Sequence, residues 1–259
     1  SVPKKHITSL RITPTLDCVT IDTIGGEAEK LISIKLPDGV LEHRYSGDSI
    51  TLKIDNPILW TPENPYLYEF TLSSGKDTVS SYFALRTVSI ETVNGKSYIA
   101  LNGKPIFSHG LLDQGYFSDG IYLPATPDGY LFDIMSVKEL GFNMLRKHIK
   151  IEPQLFYYYC DKHGMLVFQD MVNSGKYNFL IDTALPTIGM KKGVSHRASK
   201  LRREAFERDA TATVEALFNH PSVVYYTIFN EGWGQYDADR LYDKLKVLDG
   251  TRIWDSTSG

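Results

Sequence analysis

The feature that most constrains this chain is a change of hydrophobic period. Up to about residue 90, apolar residues recur at every second position, as in Ile32, Ile34 and Leu36, in Ile50, Leu52 and Ile54, and in Tyr68, Phe70 and Leu72. Side chains alternate across a strand, so each run has one face to bury. Gly25-Gly26, Pro37-Asp38-Gly39, Ser46-Gly47-Asp48 and Ser73-Ser74-Gly75 separate the runs with turn residues. Short strands at this spacing predict an immunoglobulin-like β-sandwich over residues 1–90.

Two tight hairpins follow, marked by Asn94-Gly95 and Asn102-Gly103, and then apolar runs begin to alternate with helical segments. Strands are expected at Pro105–Leu112, Phe142–His148, Met165–Met171, Val223–Phe229 and Arg252–Thr257. Helices are expected at Thr126–Leu140, Glu152–His163, Ser199–Phe218 and Asp237–Asp249. Pro127 and Pro153 stand where first-turn prolines belong, and Gly141, Gly164 and Gly250 where helices close. Leu241, Leu245 and Leu248 make a one-face stripe, and Glu204 is spaced to pair with Arg208. This βα alternation over residues 91–259 predicts an incomplete (β/α)8 TIM barrel, five of its eight strands, because a whole barrel takes about 250 residues. The long irregular segment from Val172 to Val194 would lie after the third barrel strand, on the ligand-binding face.

Composition narrows the function by exclusion. With 28 basic and 31 acidic residues the formal charge is −3, and no basic block points to nucleic acid or to a membrane surface. Cys18 and Cys160 fall in different expected domains, which argues against a disulfide framework. The residues from Ser1 to His6 carry no apolar signal-peptide core, and no run of about 18 apolar residues marks a membrane helix. Localisation stays open between periplasm and cytoplasm.

Candidate chemistry gathers at the ends of the expected barrel strands. Val223 to Phe229 is uncharged throughout, which suits a parallel strand covered on both faces, and it ends in Asn230-Glu231. Ligands bind at that end of such sheets. Gly232-Trp233-Gly234 follows, small residues around one large aromatic, a composition that lines sugar sites. Arg146 and His148 share one face of the second barrel strand, while Asp113 and Asp170 add acids to the same rim. Three acids with His148 or His109 raise the question of a metal, but no dense His-x-x-x-His or Cys-x-x-Cys spacing supports one. A Gly-x-Ser-x-Gly elbow and glycine-rich phosphate loops are also missing, which leaves the carboxylate chemistry of glycoside hydrolysis.

At this point the residues resemble a family. Trp60-Thr61-Pro62-Glu63-Asn64-Pro65-Tyr66-Leu67-Tyr68, Asn102-Gly103-Lys104-Pro105, Leu140 to His148, Cys160 to Gly164, and Asn219-His220-Pro221-Ser222 leading to Asn230-Glu231 are similar, in order, to motifs of glycoside hydrolase family 2. That family includes β-galactosidases, β-glucuronidases and β-mannosidases. The resemblance implies a retaining exo-β-glycosidase, β-galactosidase-like, with two carboxylates about 5 to 5.5 Å apart. It makes Glu231 the general acid/base, Asn230 the ligand of the sugar 2-hydroxyl, and Arg146 a holder of the nucleophile. His148, Asp113 and Asp170, from their place at the strand ends, and Trp233, from the composition around it, are expected as further substrate contacts. The family's nucleophile is a Glu on a later strand, and no residue of this chain matches it. Nor does Asp170-Met171-Val172-Asn173-Ser174 match the metal-binding Glu-x-His of some β-galactosidases, so no cofactor is expected.

The chain therefore reads as an interior piece of a longer enzyme, expected to be inactive alone. Its open strand edges favour self-association, including a homo-oligomer. The rival reading is a non-catalytic carbohydrate-binding or structural fragment.

Overall fold

The computed structural model describes residues 3–173, 179–180, 184–185, 188, 199–230 and 235–258. It forms two compact units, Ser1–Ile106 together with Phe218–Pro221, and Phe107–Leu217 together with Ser222–Gly259.

The first unit is an immunoglobulin-like sandwich. Its strands are β1 (Ile7–Pro14), β2 (Cys18–Gly25), β3 (Glu29–Leu36), β4 (Gly39–Ser46), β5 (Ser49–Lys53), β6 (Tyr68–Ser74) and β7 (Asp77–Phe83). They make two antiparallel sheets, in the orders β1-β2-β5 and β4-β3-β6-β7. The period-two residues fill the space within: Ile21, Ile32, Ile34 and Leu72 are fully buried. Each such side chain contributes about 1.5–3 kcal/mol of burial free energy. Tyr68 adds a stacked contact to Phe83, ring centroids 5.1 Å apart, and its hydroxyl accepts a 2.7 Å hydrogen bond from the Ile58 N–H.

A small three-stranded sheet continues this unit, with β8 (Val88–Val93), β9 (Lys96–Leu101) and β10 (Lys104–Pro105). Both Asn-Gly pairs turn with positive φ at each residue, at 53° and 74° and then at 55° and 72°, as such hairpins require. Phe218–Pro221 belongs here too. The Asn219 side chain takes the Ile12 N–H at 2.9 Å and gives its own N–H to the Leu10 carbonyl at 2.8 Å, copying a strand partner along β1. Arg86 Nε donates to the Pro221 carbonyl at 2.9 Å.

The second unit alternates strand and helix: β11 (Gly110–Asp113), α1 (Asp128–Glu139), β12 (Met144–Lys147), α2 (Gln154–His163), β13 (Leu166–Asp170), α3 (Lys200–Leu217), β14 (Val223–Asn230), α4 (Ala238–Leu248) and β15 (Ile253–Ser258). The five strands are parallel and lie in chain order, so each βα step adds one strand on the same side. This is five strands of an incomplete TIM barrel.

The first strand is shorter than the sequence predicts, because the Asn143 side chain occupies the ladder groups ahead of it. Its Oδ1 accepts from the His109 N–H and its Nδ2 donates to the Phe107 carbonyl, both at 2.9 Å. Gly164 closes α2 in the left-handed region, at φ 72°. The end of α4 differs: Asp249 replaces the expected glycine closure, with its carboxylate on Thr251 and Arg252. Sheet and helices enclose one core, in which Tyr157, Leu217, Tyr226, Leu241 and Leu245 are fully buried.

Candidate active site

Arg146 is the hub of the polar groups at the carboxyl end of the parallel sheet. It lies on β12 directly beside Phe168 of β13, so two residues further along β13 its neighbour on the same face is Asp170. Its Nε donates to both Asp170 oxygens, at 2.9 and 3.1 Å. Its Nη2 donates to Asn230 Oδ1 at 3.2 Å and to Ser258 Oγ at 2.8 Å. His148 Nδ1 lies 2.7 Å from Asp170 Oδ2. An ionised carboxylate only accepts, so Nδ1 carries the proton and Nε2 is left for other contacts. The Asp170 side chain is 1% exposed, against 31% for Arg146. An acid that deep needs its charge matched, and it has two basic groups against it.

Beneath this group Phe168 and Tyr225 stack at 4.6 Å. Burial, and then the neighbouring Asp255, push the Tyr225 hydroxyl up to about 12, so it keeps its proton at neutral pH.

A slip in the pleat of β14 brings Asn230 into the group. Tyr225 faces Phe168, and Tyr226 packs into the helix-side core, as period two demands. Ile228 and Phe229 are then both in that core, Phe229 stacking on Phe206 at 5.1 Å. With two consecutive residues on the helix side, Asn230 turns to Arg146. Strict alternation from Tyr225 would have sent it the other way.

Of the residues expected at this site, Arg146, His148, Asp170 and Asn230 are brought together. Glu231 and Trp233 lie outside the described residues, as does most of the segment between Val172 and Val194. Asp113 is not with them. The register sets it beside Lys147, on the opposite face from Arg146, and Lys147 Nζ donates to it at 2.8 Å. His109 precedes β11 at the amino end of the strand, with its ring 4.3 Å from that of Phe142.

Asp113 instead opens a buried charge cluster. Lys147 also meets Glu152 Oε1 at 2.6 Å, Lys150 meets the same oxygen at 3.0 Å, and the Tyr130 hydroxyl donates to Oε2 at 3.1 Å. Lys150 donates to the carbonyls of Gly115 and Tyr122, which ties down the loop after β11. Gly115 is required there: φ is 67°, and a Cβ would collide with Glu152 Oε1 and Lys147 Nζ.

A groove of about 600 Å³ runs past Leu112, Gln114, Tyr116 and Asp133, along the open side of β11, and none of the Arg146 group lines it. The polar convergence, rather than this groove, marks the candidate site.

Sequence reasoning missed Ser258. A serine at a strand end carries no signal alone, but its register opposite Asn230 would have found it.

Known proteins share this architecture. The family model described as glycosyl hydrolases family 2 matches residues 5–86, and the one described as glycosyl hydrolases family 2, TIM barrel domain, matches residues 93–257, more than half of the chain. A β-galactosidase 2 of Enterobacter cloacae is 29% identical over 91% of this chain and 22% of its own length. A putative β-glucuronidase of Formosa agariphila is 26% identical over 82% of this chain and 19% of its own length. The chain thus spans about a fifth of these curated relatives. Among solved structures, the Dictyoglomus thermophilum β-D-glucuronidase superposes with a TM-score of 0.81 at 21% identity, covering 97% of this chain and 44% of that one. Apo β-glucuronidase 3 of Bacteroides uniformis gives 0.78 at 22%, covering 97% and 33%. At these identities the structures show a common fold, and the two family models, end to end along the chain, show that it belongs to glycosyl hydrolases family 2.

Proposed function

We propose that this chain carries the proton-donating half of a retaining exo-β-glycosidase that acts on a neutral terminal sugar, a β-galactoside. Glu231 is the general acid/base. The observation that carries the reading is the convergence of Arg146, His148, Asp170 and Asn230, from three neighbouring strands, at the residue that Glu231 follows. A carboxylic acid placed there protonates the departing glycosidic oxygen and then, as carboxylate, draws a proton from the attacking water. The nucleophile it needs has no match among these 259 residues, so turnover by the chain alone is expected at background level.

A β-glucuronidase is the second reading, since relatives of both kinds match. Charge favours the neutral sugar. At this end of the sheet the described cations are already engaged, Arg146 with Asp170, Lys147 with Asp113 and Glu152, and Lys150 with Glu152. A uronate carboxylate would meet none of them free of an acid.

The test is the complete polypeptide containing these residues, assayed on aryl β-galactosides, β-glucuronides and β-mannosides. The galactoside should be hydrolysed fastest. Glu231→Gln should lower kcat by roughly 10²–10⁴-fold, and by less where the leaving group needs no proton, such as dinitrophenolate. Sugar binding with no turnover of any substrate would move the protein to the non-catalytic class.

A further inference from the structure

Asn230 presents a question that its own position does not answer: which end of its amide faces a ligand. The oxygen has one lone-pair side toward Arg146 Nη2, at 3.2 Å, and also receives Ser258 Oγ at 3.0 Å. Arg146 Nη2 donates to that same Ser258 oxygen at 2.8 Å. An arginine has no acceptor, so the serine oxygen accepts from it, and the serine proton is left for Asn230. Two donors therefore converge on Oδ1. The reversed amide would set an N–H group against the Arg146 N–H, which has no acceptor to offer, and is ruled out by the same inventory. Nδ2, with its two protons, makes no hydrogen bond to a described residue, and Asn230 is only partly buried.

We propose that Ser258 is a positioning residue, which with Arg146 locks Asn230 so that its amide offers a sugar N–H donors only. The consequence is a selection rule. The ligand atom that meets Asn230 is a hydroxyl oxygen acting as acceptor, and a sugar carrying an ammonium group at that carbon is refused, since it would bring a donor to donors and a charge toward Arg146. This rests on the glycosidase reading above, and it adds a residue and a substrate restriction to it.

The experiment is an NMR titration of the 259-residue chain with methyl β-galactoside, each of its monodeoxy analogues and the corresponding aminodeoxy sugars. It is run on the wild type, Ser258→Ala, Ser258→Thr and Asn230→Ala. Losing one oriented hydrogen bond should weaken the parent sugar about tenfold in Ser258→Ala, whereas Ser258→Thr, which keeps the hydroxyl, should stay within about twofold of wild type. One deoxy analogue should bind wild type and Ser258→Ala equally, and the aminodeoxy sugar of that same carbon should bind worst. The side-chain amide pair of Asn230 supplies a readout apart from binding: it should shift in Ser258→Ala and return in Ser258→Thr.

If Ser258→Ala binds the parent sugar as tightly as wild type while Asn230→Ala does not, the positioning role is wrong and the glycosidase reading stands. If wild type binds none of the sugars, the proposal is overturned for this chain, while the glycosidase reading is decided separately by the assay of the complete polypeptide.

Discussion

Asp170 and Gly115 show how little latitude single residues have here. Asp170→Asn keeps the shape but leaves Arg146 without its counter-charge and His148 without an ionised acceptor. Because Arg146 is about one-third exposed, solvent offsets part of the loss, and destabilisation of about 1–3 kcal/mol is expected from urea unfolding, below the usual figure for a broken buried pair. Gly115 can be set against Gly141. Both have positive φ, but a Cβ at Gly141 meets nothing within 4 Å, whereas at Gly115 it strikes the buried charge cluster. Gly141→Ala should cost about 1 kcal/mol and Gly115→Ala clearly more, which thermal melts of the two variants would rank. Chemistry at this scale was half legible. Arg146 and His148 could be paired by counting twos along one strand. The direction of Asp113 could not be read that way, since it depends on the register between β11 and β12, which only the folded sheet fixes.

Between elements, α3 and α4 are tied by one acid. Glu207 accepts from Arg240 Nη2 and from Lys244 Nζ, each at 2.7 Å, and these partners hold its carboxyl down at about 2. A carboxylate whose folded value lies below its unfolded one stabilises fully above the unfolded value. That share is lost as pH falls from about 4.5, the ordinary value, toward about 2. Glu207→Gln should therefore lower the melting temperature at pH 7, and the gap to wild type should close as the melts are taken down toward pH 2. A gap unchanged at pH 2 would mean that the ion pairs contribute nothing. The Leu241–Leu245 stripe of α4 was readable because its signal is local, spaced at one helical turn. The Glu207 tie spans 33 residues to Arg240 and has no sequence signal. Even the nearer pairing came out differently: Glu204 meets Lys200, at 3.7 Å, instead of Arg208.

For the whole molecule, two separate cores predict two unfolding steps. Tyr157→Ala, which empties a fully buried site in the second core, should lower the midpoint of that unit's step and leave the sandwich transition near its original midpoint in a urea titration followed by near-ultraviolet circular dichroism. Among the described residues β11 and β15 each have a strand on one side only, and Leu112, 57% exposed, lies on the open edge. Unpaired edges recruit other chains, so sedimentation should show concentration-dependent association that Leu112→Lys reduces. The division into sandwich and barrel was readable from the change of period, yet its boundary was not, because Asn219 and Pro221 are separated from their sandwich partners by more than a hundred residues. That interleaving bears on any attempt at dissection. A cut after Ile106 does not excise the first unit; it strips Ile12, Leu10 and Arg86 of the groups they bond, and the excised piece is a sandwich with a missing tooth.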